Sequence, residues 1–449
     1  MYTASSRNHR LTTGVAPWAR LFATLALTTV LLNLTPVSAF NRQDRKDRDD
    51  RWVATWGSSP QSSAEGIFGP PTPPQFNNQT MRMIARISVG GDQIRVRLNN
   101  GFGNSLIVIG EAHLARHEMG AGIDPNSDRT LLFGGSPTIT IPAGASVLSD
   151  PVSLAVPDLA ELAVSIYLPN PTPAFASHAT ALQTTYISGA GTGNLTAAAT
   201  IPSPSTTQAR YFLSGIDVRA ETETDAIVAF GDSITDGFLS TADANRRWPD
   251  VLAERLLARQ RRPQLSVVNE GISGNRLLHD LLGPNALSRF DQDAILQANV
   301  KFIILLIGIN DIGLPTSQIP NAPFADEAVT VEEMIQAYRL IIDRAHSKGL
   351  KIIGGTLLPY DGSFYFTPEG EAKRQAVNEF IRHGGQFDGV IDFDRVMRDP
   401  DQPTKLLARY DSGDRLHPND AGYEAMAMAI DLRMFSRQFH SREEDEESR

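Results

Sequence analysis

A serine hydroxyl is a weak nucleophile until a neighbouring base takes its proton. Ser233 stands where such chemistry is feasible. It ends Ala226-Ile-Val-Ala-Phe-Gly-Asp-Ser233, an apolar run that stops at Gly231-Asp232-Ser233. Ile227, Val228, Ala229 and Phe230 read as a buried parallel strand closed by a glycine, and a helical pattern begins at about Trp248. Ser233 therefore lies just past the C-terminal end of a strand, the edge on which open α/β sheets carry their sites. Alone, the tripeptide is equally a polar turn with Asp232 or Ser233 as a helix cap. Three more polar stretches fall where elements end: Asn269-Glu-Gly-Ile-Ser-Gly-Asn-Arg276, Gly308-Ile-Asn-Asp311 and Asp414-Arg-Leu-His417-Pro418. Successive parallel strands share one C-terminal edge, so all three are expected beside Ser233. His417 is the histidine placed to act as its general base. Asp414, three residues earlier, reaches the imidazole across one turn; a capping or surface role is its alternative. His279, His346 and His383 fall in or beside helical stretches, which suits surface or core roles.

The elements that must position these groups fall into two textures. From Trp52 to about residue 220, short strand-like runs are separated by Pro and Gly, with no long amphipathic helix. This pattern predicts an antiparallel β-sandwich or jelly roll over 52–220. Within it, Met83–Ile87 and Ile94–Leu98 flank Gly90-Gly91-Asp92 and read as a hairpin. From 221 to 437, strands alternate with helices. The strands are expected at Ala226–Phe230, Leu265–Asn269, Lys301–Ile307, Lys351–Leu357 and Gly389–Asp392. The helices are expected at about Trp248–Gln260, Asn285–Ala298, Thr330–Ser347, Pro368–His383 and Asn419–Phe435. That alternation predicts an α/β fold, a three-layer, flavodoxin-like parallel sheet. Thr330 and Glu333 fit a capping box, and Gly349 a helix C-terminal stop.

The ends are of another kind. Arg7, Arg10 and Arg20 precede the apolar run Leu21–Leu32, and Pro36-Val-Ser-Ala39 supplies small residues for cleavage. Residues 1–39 thus read as a signal peptide, with secreted or periplasmic localisation and no stable membrane insertion after cleavage; an uncleaved anchor is the alternative. Residues 40–51 read as a charged linker, and 438–449 as a disordered charged tail. The net charge of −10 gives no attraction to nucleic acid, and 0 Cys excludes disulfides, thiolate metal sites and a cysteine nucleophile. No H-E-x-x-H occurs, and no metal or other cofactor is called for by the serine chemistry.

Taken together, the four stretches resemble the blocks of the SGNH (GDSL-type) hydrolase superfamily. Gly231-Asp232-Ser233 matches the first, Gly274 the second, Asn310 the third and Asp414-x-x-His417-Pro418 the last, in order, over roughly residues 225–437. The resemblance implies acyl transfer with Ser233 as nucleophile, His417 as base and Asp414 as its orienting acid. It implies an oxyanion hole of the Ser233 and Gly274 backbone N–H groups and the Asn310 amide. Asp232, Asn275 and Asp311 are then supporting residues.

Such a resemblance leaves the substrate open, since members act on lipids, thioesters, aryl esters and acetylated carbohydrates. The stretch Trp52–Gln61, with Arg97-Leu-Asn-Asn-Gly-Phe-Gly103, is similar to secreted SGNH esterases that carry a β-rich domain ahead of the hydrolase. That similarity implies a serine esterase removing short acyl groups, acetyl above all, with an acetylated polysaccharide as a candidate partner. A lipase or phospholipase is the alternative within this chemistry. An O-acyltransferase and a non-catalytic carbohydrate-binding protein are alternatives of other classes. Phe364, Tyr365 and Phe366 follow the fourth strand and either line the substrate cleft or pack a loop. Trp52 and Trp56 are either sugar platforms or packing between the two halves, and Trp248 is expected in the core.

Overall fold

The computed structural model describes residues 52–63, 73–220, 222–259, 263–317 and 324–436. The expected leader at 1–39, the linker at 40–51 and the tail at 438–449 lie outside them. Among the described residues no helix is long and apolar enough to cross a membrane.

Alternating side chains shape the first half. Its main strands are β1 (Trp52–Gly57), β2 (Gln79–Arg86), β3 (Gly91–Asn99), β4 (Glu111–Arg116), β5 (Glu161–Leu168), β6 (Ala176–His178), β7 (Thr185–Ile187) and β8 (Leu213–Arg219). In β3, Ile94, Val96 and Leu98 are buried while Arg95 and Arg97 face the other way, toward Asp217 of β8. One sheet runs β1-β8-β3, and Ser146–Leu148 and Val152–Val156 both pair along β3. The other contains β7-β2-β5-β4. Every pairing in these two sheets is antiparallel. Both sheets contribute to one apolar core, which includes Met83, Val96, Val164 and Ile216.

The expected hairpin is not formed. β2 and β3 belong to different sheets, so the chain between them crosses the sandwich. Ile87 and Val89 in this connection are buried, and Ser88 and Val89 hydrogen-bond to Thr55 of β1 rather than across a tight turn. A turn-like Gly90-Gly91-Asp92 reports a reversal of direction. It does not report which strand receives the chain, because that depends on the burial of Ile87 and Val89.

The second half is a parallel sheet of β9 (Thr224–Gly231), β10 (Gln264–Gly271), β11 (Val300–Leu306), β12 (Lys351–Gly355) and β13 (Gly389–Ile391), in the order β10-β9-β11-β12-β13. Its helices include α1 (Ser233–Asp236), α2 (Trp248–Ala258), α3 (Ile309–Gly313), α4 (Val331–His346), α5 (Pro368–His383) and α6 (Asp420–Ala429). The strand order reverses at β9. In open α/β sheets such a reversal opens a crevice at the C-terminal ends of the strands beside it. α2 packs with α6 and α4 with α5. α4 starts at the expected capping box: Glu333 N–H donates to Thr330 Oγ1 at 3.2 Å, and Thr330 N–H to Glu333 Oε2 at 2.8 Å.

Two expected helices are interrupted. The 285–298 stretch is helical at Ala286–Phe290 and then widens to a π turn over Asp291–Ile295. The last one stops at Ala429 and resumes as a 3-10 turn, Leu432–Phe435, after an extended Ile430. Trp248 is fully buried in the second core, as expected.

The Trp52–Gln61 stretch lies between the two halves. Ala54 N–H donates to Ala298 O at 3.0 Å, and Ser266 Oγ donates to Ala54 O at 2.7 Å. Trp52 and Trp56 are buried, stacked under the guanidinium groups of Arg95 and Arg210 at 4.4 and 4.5 Å. They are packing residues and offer no exposed face to a sugar.

Candidate active site

The C-terminal ends of β9, β10 and β11 are level: Gly231 is in register with Gly271 on one side and Leu306 on the other. The three segments that follow them therefore emerge together at the reversal point. Ser233 begins α1, directly after β9. Asp232 caps that helix, its Oδ1 accepting from Ile234 N–H at 3.0 Å. Gly231 is required by space, since a Cβ there would lie 2.3 Å from Leu306 O and from Thr235 Oγ1. Ser233 opens the helix, so its N–H precedes the intrahelical bonds.

His417 arrives from the other end of the sequence, on the loop before α6. Its Nε2 lies 2.8 Å from Ser233 Oγ, and its Nδ1 lies 2.5 Å from Asp414 Oδ2. A carboxylate only accepts, so Nδ1 carries the hydrogen and Nε2 is left to accept from the serine O–H. Asp414 Oδ1 takes the backbone N–H groups of Leu416 and His417 at 2.9 and 2.8 Å, which fixes the turn. Burial alone would raise the Asp414 carboxyl. The hydrogen bond and charge of His417, with those two N–H groups, outweigh it and hold the group well below the ordinary carboxylate range. Phe238 stands edge-on against the imidazole, 4.8 Å between centroids.

Gly274 lies in the loop after β10 at φ 76°, and a Cβ there would come within 2.6 Å of Leu282 Cδ1. Asn310 is the second residue of α3, after β11. One of its amide hydrogens goes to Asn275 O at 2.9 Å, and its Oδ1 accepts from Tyr365 O–H at 3.0 Å. Asn275 O can only accept, so it fixes which end of the amide carries the hydrogens; the tyrosine O–H satisfies Oδ1, and the second hydrogen stays available to an incoming oxygen. Asp311 receives the N–H groups of Leu277 and Leu278 at 2.7 and 3.0 Å, tying α3 to the Gly274 loop. Burial raises this carboxyl to about 6 against those N–H groups and Arg276.

Asp232 is also pushed up by burial, to about 7; Asp311 adds to the shift, and the Ile234 N–H and Arg289 oppose it. Its Oδ2 is buried without a partner among the described residues. Asn275 is buried, donating to Pro284 O at 2.7 Å and accepting from Arg289 Nε at 2.9 Å.

Phe364, Tyr365 and Phe366, expected either to line the substrate cleft or to pack a loop, are separated by the structure. Phe364 is exposed (54%), Phe366 is half-buried against Tyr360, and Tyr365 is buried beneath them with its hydroxyl on Asn310. Tyr365 therefore supports the site from below. Arg289 joins the site without any expectation from the sequence. Fully buried, it donates to Gly231 O and Glu270 O, both at 2.8 Å, as well as to Asn275 Oδ1 and to Asp293 Oδ2 at 3.1 Å, joining the ends of β9 and β10 to the Gly274 loop. Its only sequence signal is an arginine within an otherwise amphipathic helical run.

Residues 229–425 match the model of the GDSL-like Lipase/Acylhydrolase family. No curated protein matches the chain. Among solved structures, the chain is similar to a member of the lipolytic G-D-S-L family from Veillonella parvula, with 22% identity over 47% of this chain and 98% of that one, TM-score 0.35. It is similar to a GDSL-like lipase from Bacteroides thetaiotaomicron, with 19% identity over 47% and 87%, TM-score 0.35. It is also similar to a catalytic mutant of an acetylxylan esterase from Geobacillus stearothermophilus, with 22% identity over 48% and 95%, TM-score 0.37.

Proposed function

From the premise that residues 229–425 form a GDSL-like lipase/acylhydrolase domain, we propose that the chain is a serine esterase in which Ser233, His417 and Asp414 cleave short-chain carboxylic esters. The observation that carries this reading is the contact of Ser233 Oγ with His417 Nε2 at 2.8 Å, with Asp414 on the far nitrogen.

The chemistry follows from the hydrogen positions. His417 Nε2 takes the Ser233 proton as Oγ bonds to the ester carbonyl carbon. Negative charge moves to the carbonyl oxygen, which is met by the N–H groups of Ser233 and Gly274 and the free amide hydrogen of Asn310. The Asp414 carboxylate, kept ionised, offsets the charge of the imidazolium. The imidazolium then protonates the departing alcohol oxygen as the carbon–oxygen bond breaks, leaving an acyl-serine. Water repeats the sequence on the acyl-enzyme, and the acid leaves.

A small acyl group is supported by access: Ser233 and His417 are only 5% and 7% exposed, and Leu282 packs against Gly274. Acetyl groups on carbohydrate are the proposed natural target, supported by the resemblance of Trp52–Gln61 and Arg97–Gly103 to secreted esterases that carry a β-rich domain ahead of the hydrolase. Export by the N-terminal segment belongs to the same proposal; sequencing the N-terminus of protein recovered outside the cytoplasm tests it.

Ser233→Ala tests the nucleophile. p-Nitrophenyl acetate hydrolysis should fall to background while the unfolding temperature holds; wild-type turnover would remove Ser233 from the mechanism. A series of p-nitrophenyl esters tests the acyl length. Rates should be highest for acetate, and a preference for long chains would favour the lipase alternative.

A further inference from the structure

The antiparallel half reaches the site through a second histidine. His178, at the end of β6, is buried between the halves, with Nδ1 2.9 Å from Ser59 O and Nε2 2.9 Å from Asp236 Oδ1. Both neighbours are acceptors, so N–H groups on both ring nitrogens satisfy both contacts. Asp236 is three residues after Ser233 and ends α1. Its other oxygen, Oδ2, accepts from Ser273 N–H at 3.1 Å. The hydroxyls of Ser273 and Thr180 lie 2.6 and 2.5 Å from Oδ2 and 2.7 Å from each other. Ser273 directly precedes Gly274. One buried carboxylate thus holds the nucleophile helix to the oxyanion loop, and two residues of the antiparallel half hold that carboxylate.

We propose that His178 and Thr180 are positioning residues for the esterase reaction: through Asp236 and Ser273 they set the distance between the Ser233 hydroxyl and the Gly274 N–H. The proposal rests on the serine esterase reading above. A carboxylate with several converging donors has little room to move. Removing two of those donors frees Ser273 to rotate, and the Gly274 N–H turns with it. The imidazole and its acid are untouched, because Asp414 and His417 share none of these contacts. The predicted defect is therefore in stabilising the oxyanion, with base catalysis intact.

The test uses the full chain with Thr180→Val, Thr180→Ser and His178→Ala. Thr180→Val keeps the shape and removes only a hydroxyl at a half-buried position, so it carries the test if His178→Ala fails to fold. For Thr180→Val, kcat on p-nitrophenyl acetate should drop by about tenfold or more, with KM changed less than about twofold. Thr180→Ser should restore most of the rate. The midpoint of the acid limb of the kcat profile should stay where it is in the wild type, since His417 keeps its partners. Folded Thr180→Val and His178→Ala with wild-type kcat would overturn the proposal. So would a shifted acid limb, which would place the effect on the base. Failure of the underlying reading looks different: the wild type would not be labelled at Ser233 by a fluorophosphonate, or Ser233→Ala would keep its rate.

Discussion

Asn310 shows how much one side chain can ask of its neighbours. An amide stabilises an oxyanion only with its NH2 end, and rotation by 180° would present an oxygen to a developing negative charge. Asn275 O prevents that, because it can only accept and takes one of the two hydrogens, while the Tyr365 hydroxyl satisfies Oδ1. Asn310→Ala should lower kcat by roughly 10²–10³, about 2.7–4 kcal/mol, as measured under substrate saturation. Tyr365→Phe should have a smaller effect, about 1 kcal/mol or roughly fivefold in kcat, because the amide keeps Asn275 O, which orients it, and loses only the hydrogen bond to Oδ1. A Tyr365→Phe loss as large as that of Asn310→Ala would mean that the ring holds the loop itself.

At the scale of the element, the turn between β9 and α1 contains a buried acid whose charge costs stability. Asp232 has a carboxyl raised to about 7, above the ordinary 3.8. Between those two values the folded chain holds a proton that the unfolded chain has released. Stability therefore falls as pH rises through this window, and the loss is complete above about 7. Asp232→Asn keeps an oxygen for the Ile234 N–H and has no charge to bury. Its unfolding temperature relative to wild type should increase from pH 4 to pH 8, as read by calorimetry at each pH. Asp414 has the opposite sign. Its depressed carboxyl contributes stability that is present at neutral pH and lost only as acid protonates it, so Asp414→Asn should destabilise most above pH 4.

The halves of the whole molecule complete each other's buried polar groups. Ser59 Oγ donates to Glu270 Oε2 at 2.6 Å, with Gln297 Nε2 on the other oxygen at 3.0 Å. Burial and the nearby charge of Asp293 push this carboxyl well up, against the Ser59 hydrogen bond and the charges of Arg289 and Arg97. All described residues accordingly fall in one compact unit. Residues 222–436 expressed alone should be insoluble or lack a cooperative transition, because the cut exposes Val268 and leaves Glu270 without Ser59. The full chain should unfold in a single calorimetric transition. Two resolved transitions, or a soluble and active fragment, would show that the halves are independent.

Much of this protein is determined by local sequence. The run Ile227–Phe230 is strand-forming and apolar throughout, so it is buried on both faces, and a glycine with no room for a Cβ must end it at Ser233. The Asp414–His417 pair is equally local, because three residues of turn bring the carboxylate to the ring. The order of these segments along parallel strands then implies one shared edge. What only the tertiary structure decided involves partners far apart in the chain: the crossing of β2 to β3 between sheets, Tyr365 on Asn310, Arg289 across two strand ends and His178 on Asp236. Periodicity reports which face of an element is buried but not what it is buried against. The support of Ser233 is made of such contacts, 55 residues apart in the case of Tyr365 and Asn310, so it is visible only once the chain is folded.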